Sequence, residues 1–339
     1  MGKTRMKKYK VYGIGAALVD TEIKVVDAEL EQMNVGKGLM TLVDEARQRE
    51  LLDHLAGHLV KASHASGGSA GNSMIATAQF GGPTFMSCKV SDDADGDIYL
   101  ADLEAAGVDH CLNGDREPGT TGKCLVLITP DAERSMNTFL GISETLSTEQ
   151  LDAGAIADSE YLYLEGYLVT SPTGRAAAIK AREIAEAAGV KTALSFSDPG
   201  MVEFFREGMM EMVGKRLDLV FCNEDEALGW AQTENLDVAV EKLKTTAECF
   251  VITRGGDGAL AYDGQTLNKI PPHKVMAVDT NGAGDMFAGA FLYAITRGED
   301  FPTAGRFASL AAGKVVANYG PRLPAADYPA LRREFFGDQ

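Results

Sequence analysis

Positive charge is in short supply in this chain. Its 339 residues hold 32 lysines and arginines against 49 aspartates and glutamates, a formal net charge of −17. So acidic a surface repels phosphodiester backbones, which argues against nucleic acid as a partner but not against a nucleotide in a local pocket of opposite sign. Cysteine is also scarce. Cys88, Cys111, Cys124, Cys222 and Cys249 are odd in number and form no C-x-x-C pair, the pattern of reduced thiols. No apolar run approaches the roughly 18 residues a membrane span needs. The basic start over residues 1–10 leads into no apolar stretch of the kind a secretion signal has. Together these absences predict a cytoplasmic protein with no membrane contact. Two nucleotide-binding signatures are missing as well. No G-x-x-x-x-G-K-[ST] loop occurs, and Gly13-Ile14-Gly15 is followed by Leu18 where a dinucleotide fingerprint needs a third small residue, which speaks against an NAD-dependent oxidoreductase.

What is present is a strand and helix pattern too long for one core, so a large domain with a smaller attached unit is expected. From about residue 155 onward apolar strands alternate with helical periods: Tyr161–Leu164, Gly174–Ala188, Lys191–Phe196, Met201–Val213, Leu219–Cys222, Glu224–Ala231, Val238–Thr245 and Phe250–Thr253. Such alternation predicts a doubly wound α/β domain, its mostly parallel sheet covered by helices on both faces. Earlier segments read differently. Asp20–Val26 alternates, with Thr21, Ile23 and Val25 on one face and charged residues on the other, as in a half-exposed strand. Gly122–Ile128 and Arg134–Leu140 read as a β-hairpin, and Leu42–Leu59 as a helix. These pieces predict a small β lid over 18–45 and 111–146, with 1–17, 46–110 and 147–339 forming the large domain.

Four motifs carry chemistry. Asp279-Thr280-Asn281-Gly282-Ala283-Gly284-Asp285 opens an apolar helix. Small residues at 282–284 let the backbone approach an anion at the positive helix end, and Asp285 in the first turn is placed to accept a hydroxyl proton during phosphoryl transfer. Gly67-Gly68-Ser69-Ala70-Gly71-Asn72 begins another helix, with Asn72 offering donors and acceptors to a polyhydroxyl ligand. Asn223-Glu224-Asp225-Glu226 follows an apolar strand, at the strand end where open α/β sheets bind ligands; taken alone it reads first as an acidic helix start, and Glu226 also suits Mg2+ held through water. Thr253-Arg254-Gly255-Gly256-Asp257-Gly258 closes the next strand, either lining a nucleotide phosphate or making a hairpin turn.

These four motifs, in this order from Val11 to about Pro324, resemble those of the ribokinase-like, phosphofructokinase-B carbohydrate and nucleoside kinases. Within that family the chain is most similar to the adenosine kinase branch, through Gly67-Gly68-Ser69, Thr120–Cys124, Arg134–Leu140, Gly166–Pro172 and Asn281. The resemblance implies an ATP-dependent transfer to a primary, 5′-type hydroxyl, adenosine to AMP as in purine salvage. By the same resemblance Asp20, Gly68, Ser69, Asn72 and Tyr167 bind the acceptor, and Asn223, Thr253, Gly255, Gly258 and Asn281 bind ATP. Arg134 sits on the lid near the transferred phosphate, and Gly282, Ala283 and Gly284 form the anion hole beside Asp285 as base. Glu226 organises Mg2+, and Asp279 marks a region where K+ is bound in the family. Tyr167 is followed by Leu168 rather than a second aromatic, and Ala16 stands where an amide is common. A ribokinase, fructokinase or ketodeoxygluconate kinase therefore stays open, as does, further off, a non-catalytic binder on the same fold. The implied partners are small molecules, with the chain a monomer or homodimer.

Overall fold

The computed structural model describes residues 7–57, 63–112, 114–131 and 133–337. Its strands in chain order are β1 Tyr9–Ile14, β2 Leu18–Lys24, β3 Met40–Leu42, β4 Ser63–Gly67, β5 Thr84–Ser87, β6 Val108–His110, β7 Gly122–Ile128, β8 Arg134–Phe139, β9 Ser159–Glu165, β10 Lys191–Ser195, β11 Leu217–Asn223, β12 Ala247–Thr253, β13 Ala259–Tyr262 and β14 Leu267–Ile270. They form a nine-stranded sheet ordered β14-β13-β12-β11-β10-β9-β1-β5-β6 and a five-stranded sheet ordered β3-β8-β7-β2-β4.

In the large sheet β6, β5, β1, β9, β10, β11 and β12 run parallel, and β13 and β14 close one edge antiparallel. Its strands are apolar on both faces because both faces are covered. Val11, Tyr161, Tyr163, Leu219, Phe221 and Val251 pack to one side with the helices Ser69–Gln79, Ala283–Thr296 and Phe301–Val316. Tyr12, Leu162, Leu164, Val220, Phe250 and Ile252 pack to the other with Pro172–Ala187 and Leu236–Thr246. The winding reverses between β1 and β9, and a crevice opens beyond the carboxyl ends of strands at such a switch point.

The small sheet has a different anatomy. Ile23, Val25, Leu125 and Leu127 on its outer face pack on Leu30 and Met33, at the helix Asp27–Gln32, and on Leu51 and Leu55, at the helix Glu45–His54. The opposite face carries Asp20, Cys124, Arg134, Met136 and Thr138, and it faces the crevice. The charged edge of β2, expected to meet solvent, is thus turned inward in part.

Several boundaries differ from expectation. Segment 63–67 and the helix starting at Glu45 belong to the small sheet, although both fell in the range expected for the large domain. β4 pairs with β2, and Leu51 fills that sheet's outer core. The helix expected from Leu42 starts at Glu45, because Met40–Leu42 pairs with β8 and Asp44 caps the helix by accepting the Arg47 N–H at 2.7 Å. Its expected last two residues, 58 and 59, lie outside the described residues. The single helix expected over Met201–Val213 is two, Pro199–Phe204 and Arg206–Val213, broken at Phe205. The first packs on the helix Glu224–Ala231 and the second on Pro172–Ala187, and one straight axis does not serve both.

Candidate active site

Asp285 lies in the first turn of Ala283–Thr296, and a glycine sets its surroundings. A Cβ on Gly289 would stand 2.5 Å from the Ser73 carbonyl oxygen and 2.7 Å from the Ala76 side chain. Its absence lets this helix cross Ser69–Gln79 at backbone distance, with Thr77 Oγ1 donating to the Gly289 carbonyl at 2.9 Å. The crossing delivers two donors to one carboxylate. Ser69 Oγ donates to Asp285 Oδ1 at 2.6 Å and Asn72 Nδ2 to Oδ2 at 3.0 Å, and Ser73 Oγ reaches the Asp285 backbone carbonyl at 3.2 Å. Burial raises the Asp285 pKa, while these hydrogen bonds and the Arg134 charge hold it back. Both glycine turns are sterically required. Gly68 and Gly282 have φ of 84° and 68°, and a Cβ on either would lie 2.2 Å from a backbone oxygen, Ala16 and Pro321 respectively. At Gly284 a Cβ would meet nothing within 4 Å, so the helix start is open.

The surrounding cleft has a volume of about 340 Å³. Asp20, Gly68, Ser69, Asn72, Arg134, Tyr167, Asn223, Glu226, Thr253, Asn281, Gly282, Ala283, Gly284 and Asp285 all line it. Three expected residues do not. Gly255 and Gly258 lie in the turn beyond Thr253, where Gly258, at φ 87°, has Ile270 O 2.1 Å from a would-be Cβ and so has a packing reason of its own. Asp279 is buried behind the loop, paired with Arg134. Arg134 is the only basic side chain among the described lining residues.

Against it stand several carboxylates whose ionisation is opposed by burial. Asp20 is pushed up to about 8 by burial and by Glu22, and the missing Cβ of Gly67 makes room for it. Glu226 is pushed up to about 8 by burial. It closes a capping box in which Asn223 Nδ2 and N–H donate to its oxygens at 2.8 and 3.0 Å. Because β11 and β12 end in register, Asn223 and Thr253 stand side by side at the cleft rim. A magnesium ion fits here on chemical grounds. Glu226 is a buried carboxylate on the cleft wall with no cation paired to it among the described residues, and a single carboxylate beside waters and phosphates suits Mg2+. Asp279 does not fit a monovalent ion in the same way, since the Arg134 guanidinium already supplies a positive charge to its carboxylate, whereas Glu226 has only amide donors.

Sequence reasoning passed over Glu165, which lines the cleft while accepting the Ala70 N–H at 2.8 Å and the Ala16 N–H at 3.2 Å. Burial pushes it up to about 7. A lone glutamate ending a buried-type strand was the available signal. Ser197 has φ of 70° and accepts the Gly166 N–H at 2.9 Å, and it had no sequence signal. Nor did Met40 and Leu42, which line the cleft together with Met136 and Leu140 of the Arg134–Leu140 segment.

The model of the pfkB family carbohydrate kinases matches residues 35–327. The 5-dehydro-2-deoxygluconokinase of Shouchella clausii is 31% identical over 269 residues, which is 75% of this chain and 81% of that protein. Among solved structures, a probable sugar kinase from Rhizobium etli superposes with a TM-score of 0.91 at 31% identity, over 97% of this chain and 99% of that one. The adenosine kinase of Sinorhizobium meliloti does so with a TM-score of 0.90 at 34% identity, over 96% and 99%. With a glycine-framed helix start, a hydrogen-bonded aspartate and these relatives, the chain belongs to the pfkB family of carbohydrate kinases and is an ATP-dependent kinase acting on a nucleoside or a sugar.

Proposed function

We propose that the protein phosphorylates the primary hydroxyl of a nucleoside, adenosine to AMP, with Asp285 as the base. The observation that carries this reading is the mixed lining of the cleft. Its polar side chains Asp20, Ser69, Asn72 and Asp285 suit the hydroxyls of a ribose. Its apolar side chains Leu18, Met40, Leu42, Met136 and Leu140, together with Tyr167, suit the flat body of a base. A plain sugar has no use for that apolar wall.

In the reaction the acceptor hydroxyl loses its proton to an Asp285 oxygen as its own oxygen attacks the γ-phosphorus of ATP, and ADP leaves. Ser69 and Asn72 hold the carboxylate so that one lone pair faces the hydroxyl. The open backbone at Gly282–Gly284 faces the migrating phosphoryl group at the positive end of the helix. Asn223 and Thr253, side by side at the cleft rim, would meet the nucleotide. Mg2+ bound through water near Glu226 would neutralise phosphate charge. The small sheet covers the acceptor and keeps water from competing with it.

A sugar acceptor is the second reading, supported by the name of the Shouchella relative. A coupled ADP-release assay with adenosine, inosine, ribose, fructose, ketodeoxygluconate and 5-dehydro-2-deoxygluconate separates them. Adenosine is expected to exceed every sugar in kcat/KM by at least about tenfold. A sugar ranking first would overturn the nucleoside assignment and leave the kinase standing.

A further inference from the structure

Asp279 is wholly buried and both of its carboxylate oxygens are engaged. Oδ1 receives the Arg134 guanidinium and the Asn281 N–H, the latter at 3.1 Å, and Oδ2 receives the Gly320 N–H at 2.9 Å. Arg134 comes from β8 in the small sheet and is itself buried, with Glu22 and Asp20 adding to the negative field around it. Two further contacts join the same edge of that sheet to the same turns of the large domain. Asn281 Nδ2 donates to Glu22 Oε1 at 3.1 Å, and the Lys24 ammonium lies 3.8 Å from the Tyr319 ring centroid. A potassium ion at Asp279 would have to displace a bonded amide or sit against a guanidinium, and either move strips the carboxylate of a partner it cannot lose cheaply in a buried site.

We propose that the Arg134 side chain is the resident cation of this turn, so that turnover needs no monovalent metal, and that the same ion pair latches the small sheet to the loop of the anion hole. Arg134 is then a positioning residue for the 279–284 loop as well as a contact near the transferred phosphate. Removing it vacates a cation site rather than merely weakening a surface contact.

The first test needs no acceptor and therefore stands or falls apart from the nucleoside reading. The ligand-free protein is melted in KCl and in tetramethylammonium chloride of equal ionic strength. An ion that binds only the native state raises the melting temperature. Wild type is expected to melt alike in both salts, Arg134→Gln to melt higher in KCl, and Asp279→Asn to show no preference. In the ADP-release assay the wild-type rate is expected to stay within about twofold across the two salts, and that of Arg134→Gln to be depressed and partly restored by K+. A K+-specific rise in the wild-type melting temperature, or K+ activation beyond about tenfold, would overturn the proposal. So would an Arg134→Gln protein that is folded by circular dichroism and indifferent to K+. If that variant fails to fold, the wild-type comparison decides by itself, with Arg134→Lys expected to match wild type in its indifference.

Discussion

The two sheets are built from the same alternation and put it to different use. In the nine-stranded sheet both sets of alternate residues are apolar and both go into cores, so Leu162 and Tyr163 are equally buried on opposite faces. In the five-stranded sheet one set makes a small core with Leu51 and Leu55, and the other carries Asp20, Arg134 and Met136 into the cleft. A polar face on a strand therefore reads as a solvent face only until another domain lies over it. The large sheet carries two cores, and the small one carries a core on one face and cleft-lining residues on the other.

Four experiments probe that division, beginning with the largest effect. Asp285→Asn keeps the size and the crossing helices but removes the carboxylate proposed as the base, so kcat should fall by about 10³-fold with ATP affinity retained, as read by steady-state kinetics and nucleotide binding. A rate near that of wild type would remove Asp285 from the chemistry. Leu162→Ala in the large sheet should cost about 3 kcal/mol of unfolding free energy in a denaturant titration and leave the acceptor KM nearly unchanged. Met136→Ala in the small sheet should do the reverse, raising the acceptor KM by about tenfold at a smaller cost in stability, since it truncates a cleft wall and packs, only partly buried, on the small cluster of Cys124, Val126 and Ile128. If Met136→Ala costs as much stability as Leu162→Ala and spares KM, the contrast between the sheets fails.

The last experiment is a pH dependence. Glu226 is raised from 4.5 to about 8 in the folded protein, so between those values the unfolded chain has given up a proton that the folded one keeps. Stability should accordingly be highest below about pH 4.5 as far as this group is concerned, and should decline as pH climbs toward 8. Asp20, raised from 3.8 to about 8, acts with the same sign. Melting curves of the ligand-free protein should show the decline, and Glu226→Gln should flatten it. An identical slope in that variant would mean that Glu226 is not the group concerned.

The local devices were legible in the residues. Glycine at 282 and 284 beside Asp285, glycine at 67 and 68 before Ser69, and an asparagine–glutamate capping pair at 223 and 226 are short-range patterns, and backbone sterics and helix capping make them mean the same thing in any fold. The unbroken apolar strands after residue 155 likewise announced a sheet covered on both faces. Only the tertiary structure could decide what these devices meet. Ser69 finds Asp285 across 216 residues because Gly289 permits a close helix crossing, and Arg134 finds Asp279 across 145 because the small sheet folds back over the loop. The use of Glu165 as a clamp on two backbone amides, and the inward turn of the charged edge of β2, belong to the same class. Sequence speaks through neighbours a few residues apart. The partner of a buried charge is chosen by packing, which brings together residues that share no local pattern.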